Sequence, residues 1–404
     1  MVTWTILALA LSSASVVQAI GTPLGFGSST TGGGSATAAT PTSNAQLVSW
    51  LSDSTAARRT IVLTSIFDFT SYYGTTSRYE IAQCDPYQLN LRSPQNDLQA
   101  VDVPNPQVAI DQNSWCENYE PSAATGTASW YVSGTGYSYS LKVGSNKTLL
   151  GKGSSAGIKG IGLLIQNADN VIIQNINISD INAQFVWGGD AITIVGSTHV
   201  WIDHNYIKNV GRQFIVTGYD PAKSVTISNN LFDGRATYSA VCNGKHYWVA
   251  LFTGTSDTIT FAQNYVYMTS GRGPHVGGTS GYTQYVHLVN NYYVSVGGHA
   301  IDSQVGAVTL AEGNYFNTVT TPSVSGSAGN EYFIQSSSEL SACQSALGRT
   351  CQANTLLSSG SVSRANTAVL TALKAQSAVT GYSPMTASAA ATYVQANAGV
   401  GKVN

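Results

Sequence analysis

Six short runs recur along the middle of the chain: VIIQN from Val171, VWIDHN from Val200, VTISNN from Val225, ITFAQN from Ile259, VHLVNN from Val286 and VTLAEGN from Val308. Their starts lie 22 to 34 residues apart, the repeat length of a solenoid. Each unit is too short to bury its own apolar residues, so units must stack and share one core. The runs end in asparagines, Asn175, Asn229, Asn290 and their neighbours. Identical amides at one corner can bond from turn to turn, as they do in stacked strands. A sandwich or barrel would have no such ladder. The pattern therefore predicts an all-β chain, a right-handed, single-stranded parallel β-helix. Uneven intervals imply longer loops in some turns, gathered on one side where they shape a cleft.

Strand-like texture runs from Thr60 to about Asn317, with one long excursion from Asp85 to Tyr131. Before it lies a Gly/Ser/Thr-rich stretch, Gly21 to Thr42, then SNAQLVSWLSD, where Leu47, Trp50 and Leu51 fall at helical spacing behind a Ser43/Asn44 cap. Beyond Gln335 comes an Ala/Ser-rich tail, 336–404, with one helical pattern, SRANTAVLTALKAQSA, expected to pack on the solenoid. No linker divides residues 20–404, which read as one domain. The first 19 residues carry an apolar core from Trp4 to Leu11 and end in Val17-Gln18-Ala19. Although no Lys or Arg precedes that core, they read as a secretory signal cleaved after Ala19. The apolar run is too short to span a bilayer, which takes about 20 residues.

Export permits disulfides. Of the five cysteines, Cys343 and Cys351 close a small loop and are expected to pair. Cys84 with Cys116 is the expected second bridge, leaving Cys242 outside both; spacing alone leaves this connectivity open. No CxxC or Cys/His cluster points to zinc. Charged residues make up only 9% of the chain, against about 25% in ordinary soluble domains. With a net charge of -2 and no basic run, nucleic acid is excluded as a partner. A monomer is expected.

Against so few charges, Arg272 between two glycines in SGRGPHVGG stands out. Four stretches between the repeats, GGDAITIVGS, VGRQFIVTGY, HYWVALFTGT and SGRGPHVGGT, each close at a glycine: Gly196, Gly218, Gly254 and Gly278. Six residues before those glycines stand Asp190, Arg212, Trp248 and Arg272. On corresponding rungs these four would stack in one column at about 4.8 Å per rung, with the aromatic ring between the arginines. The bland alternative is a salt bridge between Asp190 and Arg212 and a turn capped by Arg272. Two fixed cations and a ring suit a sugar acid whose carboxyl or ester is polarised while the neighbouring proton is removed, which is β-elimination. An arginine base demands strong desolvation and a nearby cation, because its pKa otherwise exceeds about 12.

These stretches, with GTPLGFGSSTTGGG, SWCENY, VIIQNINISDIN, VWIDH, VTISNNLFDGR, YSAVCNGKHYW and LAEGNYF, resemble the secreted fungal pectin lyases of the pectate lyase superfamily over nearly the whole chain. The resemblance implies Arg272 as the proton-abstracting arginine, Arg212 as the arginine replacing a calcium ligand, and Asp190 as the aspartate holding the cluster. Where pectate lyases carry two acidic calcium ligands four apart, this chain has Arg212 and Val216, so no metal or other cofactor is implied. A neutral methyl ester suits an aromatic cleft. Trp115, Tyr119, Trp187, Tyr247 and Trp248 match cleft aromatics of the family, and Tyr87 stands where relatives often have tryptophan. His275 replaces a lysine or arginine, a bulkier residue is common at Gly273, and the partner expected for Cys242 is missing. The implied substrate is methyl-esterified pectin; a calcium-dependent pectate lyase and a non-catalytic wall-binding β-helix are the alternatives.

Asp203 and His204 in VWIDH are expected to point to opposite faces of a strand, and so not to form a dyad. Of the two sequons, at Asn146 and Asn177, Asn146 is the better glycan acceptor because Asn177 follows a rung. No GxSxG elbow supports a serine hydrolase. Asp190 has no second acid at its rung for glycoside hydrolysis.

Overall fold

The computed structural model describes residues 18–53, 57–83, 105–110, 124–131 and 140–403. Their strands wind into the expected right-handed parallel β-helix, with stacked sheets of ten, nine and eight strands. The recurring runs are consecutive strands of the ten-stranded sheet: Val171 pairs with Val200, Val200 with Val225, Val225 with Ile259 and Ile259 with Val286. Val286 pairs with Thr309 rather than Val308, one residue from the expected alignment. Alternate residues of these strands face inward, so Val171, Ile173, Val200, Ile202, Val225, Ile227, Ile259 and Phe261 share one continuous core. Phe214, Phe232 and Phe261 stack through it at 6.0 and 5.7 Å.

The amide ladder lies one residue further along than Asn175, Asn229 and Asn290. It is formed by Asn205, Asn230, Asn264, Asn291, Asn314 and Asn354, each Oδ1 accepting the backbone N–H of the preceding rung at 2.9 to 3.1 Å. From Asn230 onward that oxygen also accepts the preceding asparagine's Nδ2–H. The expected positions have another task. Asn175, His204, Asn229, Gln263, Asn290 and Gly313 all have φ between 52° and 62°, the left-handed conformation that turns the chain out of the ten-stranded sheet. Asparagine tolerates this region better than most side chains, which explains the pairs of asparagines.

His204 at φ 52° also corrects the expectation for Asp203 and His204. The strand alternation stops there, and the imidazole Nδ1 lies 2.5 Å from Asp203 Oδ2. The same carboxylate accepts from Gln174, Ser228 and Asn229. This is a buried structural network at another corner from the arginines.

The Gly/Ser/Thr-rich stretch is a strap laid across the outer face of the ten-stranded sheet. Phe26 N–H donates to Thr260 Oγ1, Gly27 N–H to Thr226 Oγ1 and Gly33 N–H to Thr148 Oγ1, at 2.8 to 2.9 Å. A Cβ on Gly25 would sit 2.1 Å from Thr260 Oγ1, and one on Gly32 2.3 Å from Thr148 Oγ1, so the glycines permit the approach. Helix Asn44–Ser52, capped by Ser43 as expected, buries Leu47 and Leu51 in the main core. In the tail, SRANTAVLTALKAQSA yields only the short helices Ala368–Leu373 and Ser377–Thr380. Helices Ser337–Leu347 and Ala387–Asn397 join them. Cys343 and Cys351 form the expected disulfide. Arg349 beside it holds the buried Glu312, which also pairs with His287. Cys84 and Cys116 lie outside the described residues.

Replacing Asn264 by Ala orphans the Asn230 N–H and removes a further bond from each of the Asn230 amide, the Ile227 carbonyl and Asn291 Oδ1, of which the first keeps the Ile202 carbonyl and the last keeps the backbone N–H of residue 264. A buried orphan costs about 1–3 kcal/mol, to which the lost bonds add. Denaturant unfolding of Asn264→Ala should show a loss of roughly 3 kcal/mol or more; a change within experimental scatter would mean the ladder is ornamental.

Candidate active site

Apart from the helix-bearing connection 334–354, the longer loops collect on one side, between the nine- and eight-stranded sheets. The longest of those described runs from strand Leu231–Asp233 to strand Ala250–Phe252. The residues of the predicted column stand just before strands of the eight-stranded sheet. Ile192 pairs with Ile215 and Ile215 with Ala250, so stepping back along each strand aligns Asp190, Gln213 and Trp248. Arg212 is one residue earlier than the column predicted. Its side chain nevertheless reaches back one rung, where Nε and Nη2 donate to Asp190 Oδ1 and Oδ2 at 2.8 and 2.6 Å. The Gln213 N–H donates to the same carboxylate at 2.8 Å.

Arg272 stands on the rung after Trp248, with φ 49° and a cis Gly273–Pro274 bond following it. Its carbonyl accepts the Ala250 N–H at 2.7 Å. Gly271 is required because a Cβ there would lie 2.3 Å from the Tyr247 ring. Gly273 is not: the nearest atom to a Cβ there is 3.6 Å away, so the bulkier residue of relatives would fit.

The aromatic arrangement differs from the expected plate between the arginines. The Arg272 guanidinium lies over Trp248 at 4.7 Å and near Tyr247 at 5.8 Å, while Arg212 lies over Trp187 at 4.1 Å. Each arginine thus has its own ring. Trp248 is only 8% exposed and donates its Nε1–H to Gln107 at 3.0 Å; its main work is to support Arg272. Burial holds the Arg272 guanidinium below its ordinary proton affinity, the charge of Arg212 acts in the same direction, and Tyr247 and Asp302 oppose. Tyr87, Trp115 and Tyr119 lie outside the described residues.

Several contributors were not picked out from sequence. His246, buried and stacked on Phe214 at 4.2 Å, directs Nε2 at the carbonyls of Arg212 and Trp248, 2.8 and 3.1 Å away. Burial pushes its pKa down to about 4. Asp302, the strand partner of His275, lies 2.8 Å from its Nδ1. Burial would raise the Asp302 carboxyl, but His275 and Gln304 hold it well below the usual carboxylate range. His299 accepts the Arg272 N–H at Nε2, 3.2 Å away. No motif marks these residues; the HYW triplet was the one available signal for His246.

The donor set does not fit calcium. The Asp190 carboxylate is already held by a guanidinium and a backbone N–H, Arg212 brings a positive charge, and Val216 is buried. Calcium requires six to eight oxygen ligands.

Fold and site together define a parallel β-helix protein with two ring-backed arginines set just before strands of its eight-stranded sheet. Residues 121–403 match the family model described as Pectate lyase. The chain is 41% identical to Pectin lyase B of Emericella nidulans over 98% of its own length and 97% of the relative's. It is 44% identical to the Probable pectin lyase A of Neosartorya fischeri over 89% of each. Among solved structures, a Bacillus sp. N165 pectate lyase in complex with trigalacturonate shares the fold, with a TM-score of 0.56 and 19% identity, over 94% of this chain and 99% of that one. The chain belongs to the pectate lyase family.

Millimolar calcium should leave the melting temperature unmoved. A bound ion at a hundred times its Kd would add about 2.7 kcal/mol of stability, so a clear upward shift would contradict this reading of the donor set.

Proposed function

We propose that the chain is a secreted pectin lyase, cleaving α-1,4-linked galacturonan methyl ester internally by β-elimination and leaving a 4,5-unsaturated sugar at the new non-reducing end. One observation carries the reading: Arg272 is partly buried against Trp248, beside an Arg212 whose own carboxylate partner locks it in place. The relatives named pectin lyases, at 41 to 44% identity, support it.

Arg272, at its lowered proton affinity, takes the proton from C5 of the sugar. The electron pair of that bond becomes the C4–C5 double bond as the C4–oxygen bond breaks, and the leaving oxygen takes a proton from water. Arg212, oriented by Asp190, stabilises the negative charge that develops on the ester carbonyl. A methyl ester is neutral, so it needs no metal to approach the cleft. Trp187 and Tyr247 offer it apolar surface, Tyr87, Trp115 and Tyr119 are assigned to the same task by resemblance alone, and His275 provides a further substrate contact.

Export fits the strap. The Ile20 N–H donates to Gln174 Oε1 at 2.8 Å, and Gln174 Nε2 donates back to the Ile20 carbonyl at 2.7 Å, so anchoring begins directly after Ala19. The chain is read as a monomer with a second bridge from Cys84 to Cys116 and a glycan on Asn146. At the other sequon, Asn177 donates its amide to the Ser154 and Ala156 carbonyls.

Ultraviolet absorbance of unsaturated product tests the reaction. We expect product from highly methylated pectin, unaffected by chelator, and a loss of at least ~10²-fold in kcat for Arg272→Ala. Product from polygalacturonate that requires calcium would overturn the pectin reading, and no product from either polymer would leave a binding protein. Mass analysis of the exported chain should place its N-terminus at Ile20 and show a glycan that Asn146→Gln removes; a different start or an unmodified Asn146 would refute these assignments.

A further inference from the structure

Arg272 owes its place to an uncommon backbone conformation. A non-glycine residue at φ 49° is held there only when its surroundings over-determine it. Its backbone has three fixed points. The Arg272 carbonyl accepts the Ala250 N–H, the Gly273 N–H donates to the Ala300 carbonyl at 2.7 Å, and the Arg272 N–H donates to His299 Nε2 at 3.2 Å. The first two are rung-to-rung bonds of the solenoid. The third is a side-chain contact, and it comes from a titratable ring.

We propose that His299 is a positioning residue for Arg272: its neutral imidazole, with the proton on Nδ1, accepts the Arg272 backbone N–H at Nε2 and fixes the arginine's left-handed backbone under the substrate. This rests on the lyase reading for its catalytic consequence, though not for its geometry. The ring is set by its surroundings. Tyr247 lies edge-on to it at 5.6 Å, and the same Tyr247 lies on Gly271 and beside Arg272. His299 opens the strand that ends at Ser303 and pairs with Thr321 on the next rung. One histidine therefore touches both the backbone and the aromatic support of Arg272.

The tautomer is demanded by the donor it faces. An N–H pointing at Nε2 requires a lone pair there. Burial pushes the His299 pKa down to about 4, from an ordinary value of 6.5. The charged or titratable groups facing it are Asp302, which raises it, Arg272 and His275, which lower it, and the Tyr247 hydroxyl. The sign follows. From pH 6.5 down to about 4 the folded ring stays neutral and keeps its acceptor, while an unfolded chain would already take up the proton, so acidification in this window weakens the fold. Below the folded value Nε2 becomes a donor facing a donor, and the Arg272 backbone is released.

His246 uses its ring in the opposite sense. Its Nε2 faces the carbonyls of Arg212 and Trp248, so that nitrogen carries the proton. Removing the proton from one ring, or adding one to the other, would break different contacts, which lets a variant at His299 be read on its own.

The test compares His299→Ala and His299→Gln with the parent chain, after thermal melting has established that each folds. Misplacing a catalytic group by about 1 Å can lose roughly 10²-fold in rate. His299→Ala should therefore lose about that much in kcat on methylated pectin, with KM nearly unchanged. His299→Gln keeps an acceptor oxygen that does not titrate; it should recover most of kcat and move the acid limb of the pH profile to lower pH. An Ala variant within about twofold of the parent, a Gln variant as slow as Ala, or an acid limb unmoved in Gln would each overturn the proposal. A second readout does not need turnover. The Arg272 amide resonance should shift with a midpoint near the His299 titration, and this midpoint should vanish in His299→Gln. If the parent makes no unsaturated product yet the amide follows His299, the lyase reading fails and the positioning role stands. If the amide is indifferent to pH there, the positioning role fails whatever the activity.

Discussion

The structure depends on how a chain leaves the ten-stranded sheet at the same angle on successive turns. Two adjacent residues achieve this. One adopts the left-handed conformation; the next is an asparagine whose amide bonds to the rungs on both sides. The left-handed residue would be strained alone, and the asparagine amide would be a buried polar group without partners. Together each removes the other's difficulty, because the turn aims the amide along the solenoid axis and the amide holds the turn. Repetition makes the arrangement cooperative, since every interior amide is both a donor and an acceptor in the stack.

From that regular corner follows the rest of each turn. Strands fall into register, inward residues of successive rungs meet to form the core, and the outward threonines line up in a column. The N-terminal strap reads that column with its backbone, Thr148, Thr226 and Thr260 accepting its N–H groups. A glycine-rich stretch could easily be taken for a flexible leader. Here the absence of side chains lets the strap lie flat on the sheet.

The candidate site uses the same regularity and departs from it where chemistry needs it. Asp190, Gln213 and Trp248 are in line because their strands are in line. Arg212 and Arg272 are the exceptions. One crosses a rung to reach its carboxylate, and the other sits in a left-handed kink before a cis proline. Both positively charged groups lie on aromatic faces, and both backbones are touched by histidines, His246 at Arg212 and His299 at Arg272. Two cations near one another in a partly buried cleft repel, and the packing around them keeps them close despite this. Burial is the main cause of the lowered proton affinity of Arg272, and the nearby charge of Arg212 adds to it.

The sequence by itself determined the solenoid, since the repeating pattern of β-branched residues and terminal asparagines is local and can be counted along the chain. It also marked Asp190, Arg212 and Arg272, because charges are scarce here and these three recur at comparable places before glycines. It did not determine which asparagine of each pair makes the ladder, because a single residue's φ decides that and composition is the same either way. Nor did it place Asp203 against His204, for the alternation rule fails where a strand turns. The partners of the arginines were decided by tertiary structure alone: Trp187 under Arg212, Gln107 behind Trp248, and His299 at the Arg272 N–H. Each comes from another rung or loop, and the loop lengths that bring them together follow no period. A periodic sequence reveals what repeats; the cleft is made of what does not.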